Sequence, residues 1–426
     1  METFPRYTEY KDSGVKWLEQ IPRTWELKPF KFIFKSIESG MREQTDEKDV
    51  ISIGGEHLYN GKINYVNLKY VSEKFYRRMT KGKVGKGDIL VVKDGATIGK
   101  TAYVDNLPDE PIVINEHIYR IEAEKYFYYY LISSYAQYYF RSRNNSSAQE
   151  GLPLSTINNL KCPYPNKKDQ EKIVIFLDHK TAEIDTEISK KQRLIELLEE
   201  RKNILINQAV TKGLNPDVPM KDSGVDWIGE IPEHWFVRRA KYSFIEIDER
   251  SVTGEEELLS VSHITGVTPR SEKNVNMFLA EDYSGSKICK DGDLVINIMW
   301  AWMGALGVSD RIGIVSPSYG VYRQKNENTF DNWFLEHLLR SNEYVAEYNR
   351  RSTGLHSSRL RLYSNMFLDM KISFPPYDEQ VWIRKAISKK TSFINAYIKK
   401  IRTQIEKLFE LRSILITNAV TGKIKI

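Results

Sequence analysis

Cysteine is almost missing. The 426 residues contain two, Cys162 and Cys289, too few for a disulfide framework or a zinc cluster, which fits a reducing cytosol. The seven histidines, His57, His117, His179, His234, His263, His337 and His356, form no close pair with one another or with a cysteine. No metal-ligand spacing results. No apolar run approaches the roughly 20 residues that span a bilayer. The opening Met1-Glu-Thr-Phe-Pro-Arg6 lacks a basic stretch followed by an apolar one, so neither membrane nor secretion is expected. A strong charge bias is lacking too, since 63 Lys and Arg face 57 Asp and Glu, for a formal +6. That permits an anionic partner without requiring one.

Catalytic motifs fail on inspection. Gly95-Ala-Thr-Ile-Gly99-Lys100-Thr101 resembles a phosphate-binding loop but is one residue short between its glycines, and Gly304-Ala-Leu306 at the matching place has no lysine. A strand-connecting turn is the better reading. Ser373-Phe-Pro-Pro-Tyr377 resembles an amino-methyltransferase motif, yet Phe374 supplies no polar acceptor before the prolines. These prolines fit the stop of a strand before a helix. Pro108-Asp109 is not followed by a nuclease Glu-x-Lys, and no serine or cysteine has a discernible base.

What is present is a duplication. Lys11-Asp-Ser-Gly-Val-Lys-Trp17 through Ile21-Pro22 to Trp25 returns as Lys221-Asp-Ser-Gly-Val-Asp-Trp227 through Ile231-Pro232 to Trp235, an offset of 210. The same offset relates Ile204-Leu-Ile206 and Ala209-Val-Thr211 to Ile414-Leu-Ile416 and Ala419-Val-Thr421. Between these ends the copies diverge, and Gly87-Asp88 matches Gly292-Asp293 only at an offset of 205. So long a period means a duplicated domain, not a solenoid.

The shared ends predict long helices. Ile173, Leu177, Ile184, Ile188, Ile195, Leu198 and Leu205 keep spacings built from 3 and 4, as do Ile383, Ile387, Ile394, Ile398, Ile401, Ile405, Leu408 and Leu415. Such a seam must be buried against another helix. From Gln170 to Thr211 there is no Pro or Gly, which allows roughly 63 Å of helix. Gly213 and Gly422 stand where a C-cap glycine belongs. Each helix needs a partner and the other copy supplies it, so an antiparallel intramolecular coiled coil is expected. The middles read as β-rich, with strands at 51–53, 88–92, 259–261 and 293–296. Each middle then has one aromatic helix, Tyr126 to Arg141 and Trp333 to Arg350. The tyrosines at 128–130 and 138–139 are expected to pack their helix on its sheet with hydroxyls at the rim.

A basic, polar loop follows each aromatic helix. The first carries Arg141, Arg143, Asn144, Asn145, Ser146 and Gln149; the second carries Arg350, Arg351, Ser352, Thr353, His356, Ser357, Arg359 and Arg361. Arg suits guanine edges, Asn and Gln suit adenine, and hydroxyls suit phosphates. Arg77, Arg78 and Lys81 form a further cluster that can grip phosphates. Trp300 and Trp302 can stack or insert, although aromatics beside a strand are more often core.

Over essentially its whole length the chain resembles the specificity subunits of Type I restriction–modification systems. The duplicated Lys-Asp-Ser-Gly-Val-x-Trp segment, the twin helices ending Ala-Val-Thr, and the stretch from Gly87 to Gly99 carry the likeness. The second copy departs from the pattern where Asn297 to Trp302 replace Lys93 to Thr97. Together with the residue-level reading, the resemblance implies an α+β chain. Two α/β target-recognition domains stand in pseudo-twofold arrangement, separated by two long helices that form an antiparallel coiled coil. The expected segments are 1–26, shared and packed near the coil; 27–165, the first recognition domain; 166–215, the first spacer helix; 216–236, the repeat of the shared segment; 237–376, the second recognition domain; and 377–426, the second spacer helix. Lys93 and Lys100 in one turn and Asn297 in the other join the DNA-contact candidates.

The resemblance also implies a cytoplasmic, non-catalytic subunit that reads a bipartite site in double-stranded DNA, one half per domain. It would recruit two methyltransferase subunits and restriction subunits. No cofactor is expected on this chain, since S-adenosylmethionine, ATP and Mg would sit on those partners. The contrasting readings are a stand-alone DNA methyltransferase or nuclease with duplicated DNA-binding domains, and a coiled-coil adaptor that binds protein only.

Overall fold

A computed structural model describes residues 4–144, 151–273, 282–354, 356 and 360–426. The chain forms two compact units. One holds residues up to Gln192 together with Arg402–Ile426; the other holds Arg193–Ile401. The units therefore cut across the six expected segments. Each takes the start of one long helix and the end of the other, because both pieces supply side chains to its core.

The two helices run Lys167–Lys212 and Tyr377–Val420. Every seam residue named above is buried or half-buried. They pair antiparallel inside each unit. In the first, Lys191 Nζ donates to Gln404 Oε1 at 2.9 Å and Arg412 Nε meets Asp185 Oδ1 at 3.2 Å. In the second, Lys202 Nζ donates to Asn395 Oδ1 at 3.3 Å. Numbers rise along one helix as they fall along the other. Each helix starts the same way, with a buried glutamine returning to a proline carbonyl: Gln170 to Pro165 at 2.8 Å and Gln380 to Pro375 at 2.9 Å. Each ends at a glycine of positive φ, Gly213 at 79° and Gly422 at 70°, where a side chain would be strained.

The repeated segment braces these ends. In the first unit Tyr10–Asp12 and Gln20–Pro22 form a hairpin, and its Tyr10 hydroxyl donates to the Gly422 carbonyl at 3.0 Å. Trp25, 1% exposed, lies in the core with Ala419 and Val420. In the second unit the hairpin is Met220–Asp222 with Glu230–Pro232, and Trp235 lies with Ala209 and Val210. Trp17 and Trp227 brace the middles instead, against Tyr139 at 5.3 Å and Tyr344 at 4.9 Å.

Each middle centres on an antiparallel four-stranded sheet of the same order. In the first unit this is Thr101–Tyr103, Ile89–Val92, Ile118–Glu122 and Ser36–Ser39. The counterpart is Leu306–Val308, Leu294–Ile296, Gly320–Gln324 and Phe244–Glu246. The aliphatic runs from Ile89 and Leu294 are buried throughout, as strands covered on both faces require. A second layer differs between the units. The first has a three-stranded sheet, Ile112–Ile114, Val50–Ile53 and Lys69–Val71, with its first pair parallel. The second has two separate pairs, Leu259–Ser262 with Gly266–Pro269 and Lys287–Cys289 with Gly313–Val315.

One expectation needs correction. Neither aromatic segment is a single helix. The first breaks into Lys125–Leu131 and Ser134–Asn144, the second into Asn332–Leu339 and Asn342–Arg351. A serine stands at each break. Ser133 Oγ donates back to the Tyr130 carbonyl at 2.5 Å, and its own carbonyl accepts from Gln137, so a side chain competes with the helix and a new one starts. Among the described residues, no helix is long and apolar enough to cross a membrane.

Candidate nucleic-acid interface

Each four-stranded sheet turns around through a hairpin whose entry is set by the Gly-Asp pair. Gly87 and Gly292 have φ of 93° and 86°. The next aspartate is buried and accepts a backbone N–H from three residues back, Asp88 from Gly85 at 2.6 Å and Asp293 from Lys290 at 2.8 Å. An arginine from the neighbouring strand neutralises it. Arg120 Nε lies 2.5 Å from Asp88 and its Nη1 3.2 Å from Glu38. Arg323 grips Asp293 with two nitrogens, at 2.8 and 2.7 Å, and reaches Glu249 at 3.2 Å. The two arginines were not among the sequence candidates, although Tyr119-Arg120 and Tyr322-Arg323 recur at nearly the offset of the Gly-Asp pairs.

The turn of each hairpin lies beside the loop that follows the second short helix. In the first unit Leu152 N–H donates to the Lys93 carbonyl at 2.6 Å, and Asp94 bridges Gly151. In the second, Leu362 N–H donates to the Ile298 carbonyl at 3.0 Å. The helix below holds the turn as well. Gln137 Nε2 donates to the Gly99 carbonyl at 2.8 Å, and Gly304 lies against Val345. Thus in each unit the hairpin turn meets the chain that returns after the second short helix, some 60 residues on.

Lys93 and Lys100 are half-buried in the first turn. Lys93 Nζ is 3.7 Å from Asp94 and stands over the Tyr119 ring. Arg141 is exposed, its Nε on the Gln137 carbonyl at 3.2 Å, and Arg143 stands over the Tyr139 ring at 5.7 Å. Asn144 ends the helix; Asn145, Ser146 and Gln149 lie outside the described residues. Arg77, Arg78 and Lys81 are exposed but follow the strand Lys69–Val71, so they hang from the three-stranded sheet and not from the hairpin. Arg77 is paired to Glu73 at 2.8 Å.

In the second unit several candidates have partners within the fold. Asn297 is 5% exposed, and its amide donates to Tyr319 Oη at 3.0 Å and accepts from Met299 N–H at 3.2 Å. It ties the turn to Tyr319. Arg350 and Arg351 both close on the buried Glu347, at 2.6 and 2.5 Å. Burial pushes the Glu347 carboxyl up, but the two guanidinia outweigh it and hold it below the usual range. Arg350 remains outward-facing at 66% side-chain exposure, while Arg351 is largely occupied. Ser352 Oγ closes the helix end on the Tyr348 carbonyl at 2.7 Å. Thr353 and Arg361 exchange backbone hydrogen bonds of 3.1 and 2.9 Å, and His356 is exposed. Ser357 and Arg359 lie outside the described residues.

The tyrosine run is core, and its hydroxyls tie the domain to its surroundings. Tyr126 donates to the Val420 carbonyl at 2.8 Å, Tyr129 to Asp178 at 2.6 Å, and Tyr130 to the Lys161 carbonyl at 2.6 Å. Burial raises all three well above the ordinary phenol range.

The family model for the Type I restriction modification DNA specificity domain matches residues 22–198. Over that stretch, and at low identity over nearly the whole length, the chain is similar to the type I specificity subunits. Two Methanocaldococcus jannaschii chains, named as the MjaX and MjaVIII specificity subunits of type I restriction enzymes, are 25% and 23% identical to it. Each alignment covers 98% of this chain, and 98% and 97% of the relatives. The fold matches a chain from a structural study of complex assembly and conformational transition in the type I R-M system. That match has a TM-score of 0.63 at 13% identity and covers 95% of this chain and 99% of the other. The mixed α and β class and the paired long helices agree with that family.

Proposed function

We propose that this specificity chain reads a bipartite site in double-stranded DNA, one half-site through each unit, and performs no chemistry itself. The observation that carries the reading is the repeated pairing of hairpin turn and post-helix loop on one frame with different side chains. Two readers of different sequences need that combination. Methylation and cleavage then belong to partner subunits, with S-adenosylmethionine, ATP and Mg bound there, as the family resemblance implies.

Partners have surfaces to use. Trp382, Phe393 and Tyr397 are 55, 68 and 49% exposed on the second long helix, away from its buried seam, and the Lys11 and Lys221 segments lie at the helix ends. The helices act as a spacer on this reading, since half-sites on one face of B-DNA lie about one turn, roughly 34–36 Å, apart.

The test is a genome-wide map of N6-methyladenine in a host with and without the chain and its partners. A two-part motif with a fixed gap, present only with the chain, is the expected result. Methyl transfer by the purified chain alone would overturn the reading.

A further inference from the structure

The two hairpin turns occupy the same place in the fold and carry opposite chemistry. The first presents Lys93 and Lys100 and no aromatic residue. The second presents Trp300 and Trp302, stacked on each other with centroids 5.9 Å apart and planes 23° from parallel. Trp302 is the fixed member. Its indole N–H donates to the Met299 carbonyl at 3.1 Å, and the 3-10 turn Ala301–Met303 that contains it packs on the helix Asn342–Arg351. Trp300 lies on that platform with 48% of its surface exposed.

An indole held on one face and open on the other loses little freedom on contact. Its surroundings decide what it meets. The bond from Leu362 to Ile298 brings the paired Thr353 and Arg361 backbones beside the turn, and His356, between them in sequence, is exposed. A flat apolar ring next to a polar, cationic loop suits a nucleobase with its phosphate. A protein partner would call for a continuous apolar patch.

Resting on the DNA-reading function above, we propose that Trp300 is a stacking wedge, laying its open face against a base at a step of the half-site read by the second unit. The first unit has no such wedge and uses lysines at the corresponding turn. Wedges act where stacking is easily opened, so the contacted step is a pyrimidine–purine one.

The experiment uses the full chain with its partner subunits and a fluorescent duplex bearing the mapped motif, with 2-aminopurine at the candidate step. Trp300→Ala should bind about 5- to 150-fold more weakly, the span that base-on-aromatic stacking carries, with an unchanged salt slope. Trp300→Phe should recover most of the affinity, and first-half-site discrimination should be unaltered. The 2-aminopurine signal should change on binding the unmodified complex and not the Ala variant. Equal affinity of Trp300→Ala and the unmodified complex sinks the wedge and leaves the general reading standing. Loss of partner co-purification with DNA affinity retained would assign Trp300 to a protein interface and also sink it. If the unmodified complex shows no sequence preference, the DNA-reading function falls, and the wedge with it.

Discussion

The two halves of this chain agree where they hold the fold and disagree where they meet solvent. Trp25 and Trp235, Gln170 and Gln380, Gly213 and Gly422, and the Asp–Arg pairs 88–120 and 293–323 are equivalent in position and in contact. The turns between the paired strands share only a frame. One is cationic, the other aromatic, and the second-layer sheets differ as well. The pattern separates two demands on one duplication. Bracing the helices tolerates little change, because each contact is buried. Turns supported from below by Gln137 or Val345 can vary without disturbing what lies under them.

The sharpest way to break that comparison is to exchange a whole middle. Replacing residues 27–165 with the corresponding region of a relative should rewrite one half of the methylated motif and leave the other half and the gap unchanged. A methylation map that altered both halves would show that the readers are not independent. A smaller but still large effect is expected at the braces. Trp25→Ala and Trp235→Ala should each cost about 3–5 kcal/mol, measured by urea unfolding. If one tolerated the change, the equivalence of the two braces would be in position only.

The frame was legible in the sequence because burial writes itself as period. Ile383, Ile387, Ile398 and Ile401 repeat at helical spacing and are all buried, and glycine at 213 and 422 marks the helix ends. The helix breaks at Ser133 and Ser341 were not legible, since one serine in an aromatic run interrupts no period. The burial of Asn297 was hidden for another reason. Its partner Tyr319 lies 22 residues on, a pairing that no local pattern announces. Arg350 and Arg351 were partly readable. Glu347 precedes them by three and four residues, the spacing at which helix side chains meet, so their pairing could have been drawn from sequence alone. The meeting of turn and returning chain was not, because it depends on Leu152 and Leu362 docking on turns some 60 residues earlier.

The smallest effect addresses the chemical contrast of the turns. Lys93→Ala and Lys100→Ala, made together, should lower the slope of log affinity against log salt by about 2, because each phosphate contact releases close to one counterion. The half-site sequence should stay the same, since phosphates carry no sequence information. A double variant with an unchanged slope would mean that the Lys93 amine remains with Asp94 and the Tyr119 ring in the complex and that Lys100 meets no phosphate. The contrast between a cationic and an aromatic turn would then be one of appearance, and the loop arginines would be left to carry the phosphate contacts in both halves.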